Sequence, residues 1–113
     1  MQIGRTGNEI LADTLREAEK FALNAQVYSH PLGYHGHAAG PTIGLWDQQG
    51  GVPGKGDYPI FDNTAYSIEL NIKREIPEWD NQEVRIALEE DAVMRDGEMD
   101  WLDSRQTKLH LIG

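Results

Sequence analysis

Apolar positions recur every three or four residues at the start of the chain and every second residue further on, and the two periods predict different elements. Over residues 6–24, Ile10, Leu11, Leu15, Ala18, Phe21 and Ala22 form one stripe, with Glu17, Glu19 and Lys20 on the wet side. Thr6 with Glu9 three residues later makes a T-x-x-E capping box, each side chain satisfying an N–H of the other, so a helix is expected over 6–24. Residues 26–29 (QVYS) suggest a short strand. Residues 64–73 (TAYSIELNIK) alternate, with Tyr66, Ile68, Leu70 and Ile72 on one face and Ser67, Glu69 and Asn71 on the other. A second strand over 83–94 puts Val84, Ile86, Leu88, Glu90 and Ala92 on one face, and Arg85, Glu89 and Asp91 on the opposite one. Turns are expected at residues 77–81 and at Asp96-Gly97, and QTKLHLI at 106–112 is expected to be a last strand. One helix followed by strands defines an α+β class, here as a single domain over residues 1–113.

Between the helix and the long strands, residues 33–56 carry most of the chain's 12 glycines, and prolines cluster over 31–59. That density predicts turns and close backbone approach, with IGLW at 43–46 able to pin the loop or form a short strand. At the start of this stretch HPLGYHGHAAG (30–40) gathers His30, His35 and His37. Such clusters serve as metal ligands, as acid–base groups, or merely occupy turns. Glu90 interrupts an apolar row, and a carboxylate there needs an arginine, hydrogen-bond donors or a cation. Arg85 fits that role poorly, because an unbulged strand points it the other way. His-plus-carboxylate donors suit Zn, Mn, Fe or Co.

The formal net charge of −9 argues against nucleic acid or an anionic membrane as the main partner. Without cysteine there is neither a disulfide framework nor a thiolate metal site. No apolar run approaches the ~20 residues of a membrane span, and a cytoplasmic location is the default expectation.

In order and spacing, GRTGNEIL, HPLGYHGHAAGPTIGLWDQQGG, AYSIELNIK and VRIALEEDAV resemble the C-terminal half of the pita-bread metallopeptidases, which include methionine aminopeptidases, Xaa-Pro aminopeptidases, prolidases and creatinase. The resemblance implies half of a pita-bread fold, with a curved and mostly antiparallel sheet. It also implies divalent metal bound by His35 or His37 together with Glu69 and Glu90, one ion or none in this chain alone. His30 becomes a substrate-side histidine, and a glutamate such as Glu69 shuttles a proton. The implied activity is hydrolysis of an N-terminal residue, Xaa-Pro included, from a peptide substrate. The family's two aspartate ligands have no counterpart, since Asp13 is the sole aspartate before the histidines and lies inside the helix. The family's second histidine is replaced within WDQQ, by Asp47, Gln48 or Gln49, and Leu88 stands two before Glu90 where an arginine is usual. The chain is therefore expected to carry the His/Glu/Glu half-site, to be weakly active alone, and to self-associate or to need a missing N-terminal half. The alternative is a non-catalytic binding module of the same fold.

Overall fold

A computed structural model describes residues 1–113 and gives an α+β fold. Helix α1 (Gly7–Lys20) is followed by β1 (Asn24–Val27), β2 (His30–Pro31), β3 (Thr64–Ile76), β4 (Gln82–Arg95) and β5 (Glu98–Trp101). Every strand pairing is antiparallel: β1, β3, β4 and β5 lie side by side in that order, and β2 continues along β3 beyond β1. No helix is long and apolar enough to cross a membrane.

The capping box forms as its sequence requires. Thr6 N–H donates to Glu9 Oε2 at 2.8 Å, and Glu9 N–H donates to the Thr6 hydroxyl at 3.2 Å. The helix ends at Lys20, earlier than the periodicity suggests, because Ala22 adopts a positive φ of 53° and turns the chain into β1. Phe21 therefore leaves the apolar stripe and is exposed. Ile10 and Leu11 are buried against Val27, Ile43, Ile60, Tyr66 and Met94, which together make the core. Each such side chain contributes about 1.5–3 kcal/mol by leaving water.

The register of the long β3–β4 hairpin assigns every side chain to a face. Ile68 lies opposite Glu90 and Glu69 opposite Glu89, and directly opposed residues of antiparallel strands share a face. Val27, Tyr66, Ile68, Leu70, Ala92 and Met94 lie on the side covered by α1 and the core. Gln26, His30, Ser67, Glu69, Asn71, Glu89 and Asp91 occupy the opposite, polar side. The last strand is β5 rather than residues 106–112, which have no regular structure. An alternating segment becomes a strand only when an edge pairs with it, and here no backbone partner in the chain meets this one.

The glycine-dense stretch is packed in place. Ile43 is buried and exchanges two backbone hydrogen bonds with Ser29, at 2.9 and 3.1 Å. The Gln49 side-chain amide imitates a neighbouring peptide, accepting from Val27 N–H at 2.9 Å and donating to the Val27 carbonyl at 2.8 Å. Gln49 thus occupies the outer edge of β1 at Val27, and Ile43 that of the chain just beyond it at Ser29. Gly44, at φ +72°, permits this approach, since a Cβ there would collide with the Val27 carbonyl. Asn8 ties the far end of the loop to α1, accepting from Val52 N–H at 2.7 Å and donating to Asp57 Oδ1 at 2.8 Å.

Candidate functional site

On the polar side of the sheet a cleft of about 930 Å³ opens between the strands and the loop. His30 and Glu69 lie at its base, with Tyr28, Trp46, Tyr58 and Phe61 among its walls. Trp46, Tyr58 and Phe61 are all more than half exposed. Three exposed aromatic rings around one opening form a surface that an apolar ligand would cover.

The position of the polar pair follows from the register. His30 is opposite Ser67, so its ring reaches diagonally to Glu69 two residues further along β3. Its Nε2 lies 2.8 Å from Glu69 Oε1, and its Nδ1 3.0 Å from the Pro31 carbonyl oxygen. The side chains are only 13% and 22% exposed. With Glu69 ionised, both neighbours are acceptors, so both contacts are hydrogen bonds when the ring donates from each nitrogen. With the ring singly protonated at Nδ1, Glu69 must instead donate to Nε2. The Glu69 backbone is fixed as well, its N–H donating to the Ser29 hydroxyl at 2.9 Å, and Tyr28 N–H donating to its carbonyl at 3.0 Å.

Of the remaining histidines, His37 stacks on His30, with ring centroids 3.9 Å apart and planes within 14°. A tight turn closed by Gly36 N–H to the Gly33 carbonyl brings it back, and Ala38 N–H then donates to the Pro31 carbonyl. His35 lies in that turn, exposed and edge-on to the exposed ring of Tyr34. Of the two candidate histidines, His37 stands over the pair and His35 does not.

The expected set of one histidine, Glu69 and Glu90 does not converge. Glu90 sits on the apolar side, as its place in the row Val84–Ala92 requires, whereas Glu69 faces the cleft. Glu90 Oε1 accepts from Gln106 N–H at 3.2 Å, while its buried Oε2 has no partner. Glu89 is the carboxylate opposite Glu69, and it accepts from the Ser67 hydroxyl at 3.2 Å. No three His, Asp or Glu side chains stand together as a ligand set for a metal ion. Asp13 is engaged elsewhere: Arg5 pairs with it at 2.6 Å and Arg16 also contacts it, and these bonds, Arg5 foremost, hold its carboxyl below the usual range. Gln49, in the WDQQ segment, is occupied by the β1 edge.

The aromatic walls carried no motif that pointed to a site. Their signal was large rings scattered through a Gly/Pro-rich stretch, and only folding shows that they surround one opening. No protein-family model matches the chain, and comparison with curated proteins and with solved structures likewise found no match.

Proposed function

We propose that this chain forms the peptide-binding side of a hydrolase that removes N-terminal residues, as the resemblance to the pita-bread metallopeptidases implies. The observation that carries the proposal is the His30–Glu69 pair, closed at 2.8 Å at the base of an aromatic-walled cleft. A peptide lying there packs an apolar residue such as proline against Trp46, Tyr58 and Phe61. Glu69 Oε2 makes no hydrogen bond within the chain, which leaves that oxygen to exchange a proton with a departing amine. His30, held at Nδ1 by the Pro31 carbonyl, supplies or retrieves the proton at Nε2. The divalent ion that the resemblance calls for (Mn, Zn, Co or Fe) does not fit the expected ligands, which lie on two sides of the sheet, so no step runs through it. Glu69 and Glu89 are like charges directly opposed, an arrangement that a shared proton or a weakly held cation relieves.

Isothermal calorimetry with a proline-containing tripeptide tests the proposal. Binding is expected for the intact chain and at least about tenfold weaker, ~1.4 kcal/mol, for His30→Ala and Glu69→Gln. Equal affinity in all three proteins would reject it. A second reading, a binding module without chemistry, is favoured by the separation of Glu90 from Glu69. It predicts the same binding, but no cleavage in the presence of any added metal or complementary chain segment.

A further inference from the structure

The two outer edges of the sheet are finished differently. The edge of β1 is occupied at Val27 by the Gln49 amide, and the chain beyond it at Ser29 by Ile43. That of β4 is paired with β5 only over Ala92–Arg95, with one further bond from Leu102 N–H to the Asp91 carbonyl at 3.0 Å. Residues 82–90 thus present a row of unpaired backbone groups on that side. Beside the row the apolar face is also uncovered: α1 packs against β1 and leaves Ile86 and Leu88 50% and 55% exposed. A long exposed apolar edge is a template for an added strand.

The same chain carries a segment suited to that edge. From Lys108 to Leu111 polar and apolar residues alternate, with Leu109 and Leu111 on one side, and Lys108, His110 and Ile112 on the other. Leu109, Leu111 and Ile112 are 87%, 92% and 98% exposed, and no backbone group beyond Leu102 makes a backbone hydrogen bond. Within its own molecule the segment is drawn off the edge. Ser104 N–H turns back to Asp103 Oδ1, Arg105 lies over Trp101, and Gln106 N–H is spent on the Glu90 side chain.

We propose that residues 106–112 of one copy add as a strand to the outer edge of β4 in a second copy, and that the exchange is reciprocal. Parity supports the pairing. A strand that places Leu109 and Leu111 beside Val84, Ile86 and Leu88 necessarily places Lys108 and His110 on the other face, where Glu83, Arg85 and Glu89 lie. Apolar meets apolar, and of those three charged side chains on the other face two, Glu83 and Glu89, are carboxylates that Lys108 can pair with. The reciprocal exchange makes a closed, isologous dimer, so the assembly stops at two.

Sedimentation velocity over a concentration series reads the outcome. The full chain is expected to shift reversibly from its 12.7 kDa monomer to a dimer, with amides of residues 82–90 gaining protection from hydrogen exchange in step. The double variant Leu109→Asp/Leu111→Asp, altered only at exposed positions, is expected to stay monomeric. A synthetic peptide of residues 106–112, added in excess to the unaltered chain, is expected to dissociate the dimer while keeping those amides protected. A monomer at every concentration would overturn the proposal, as would a dimer indifferent to both variant and peptide. Protection of residues 82–90 in the dilute monomer would also overturn it, by showing that each tail closes its own edge.

Discussion

Tyr66 is the largest fully buried side chain of the fold, and its hydroxyl has no hydrogen-bond partner. Removing an unsatisfied buried hydroxyl while keeping the ring relieves a desolvation cost and leaves the packing intact. Tyr66→Phe is therefore expected to leave stability unchanged or raise it by about 1 kcal/mol in urea unfolding; a loss of that size would reveal an unseen partner. Burial pushes the phenol up to about 12. The folded chain then keeps a proton that the unfolded chain releases near its ordinary value of about 10. This contribution to stability is complete below about 10 and is lost as pH rises toward about 12, a decline that Tyr66→Phe should lack. Nothing in the alternation of β3 signals the orphaned hydroxyl. The sequence places Tyr66 on the apolar face, but the depth at which its oxygen ends depends on the core around it.

At the scale of elements, α1 and the β3–β4 hairpin were the most legible parts. Both are local patterns, a capping box with a 3.6-residue stripe and two period-two rows, which need no distant contact to be recognised. The separation of Glu69 from Glu90 was legible too, since parity alone puts one among Ser67 and Asn71 and the other among Val84, Ile86 and Leu88. The family motif pulled them together, and the register keeps them apart. Cation titrations should follow the register: Glu89→Gln is expected to weaken any Mn binding by about tenfold, ~1.4 kcal/mol, and Glu90→Gln to leave it unchanged. The reverse result would restore the motif's assignment. The capping box has its own test. Thr6→Ala should cost about 1 kcal/mol of stability, within a range of roughly 0.5–2 kcal/mol. The Thr6 backbone N–H, and then its hydroxyl, hold the Glu9 carboxyl below its ordinary range. That contribution is present above the ordinary carboxylate range and fades as pH falls through it and below, so the difference between Thr6→Ala and the parent should shrink in acid.

Over the whole molecule, what escaped the sequence depends on contacts far apart along the chain. Gln49 serving as a surrogate strand, Asn8 bridging helix and loop, and His37 folding back over His30 each join groups whose meeting no local period encodes. Asn8→Ala leaves the Val52 N–H without its acceptor, and is expected to destabilise the fold by about 1–3 kcal/mol while loosening the loop that carries Lys55 and Tyr58 into the cleft wall. A thermal or urea denaturation indistinguishable from the parent would contradict that role. Residues 106–112 failed as a strand for a related reason: the alternation is real, but no backbone group of the same molecule pairs with it.

The most direct test of the cleft as a peptide site is a chemical-shift map, made by titrating a tripeptide with proline at its second position into the isotope-labelled chain. Shifts are expected to concentrate at Tyr28, His30, Trp46, Tyr58, Phe61 and Glu69, and to be lost on Glu69→Gln. Shifts confined to β4 and the C-terminal segment, or an unchanged spectrum at millimolar peptide, would contradict it.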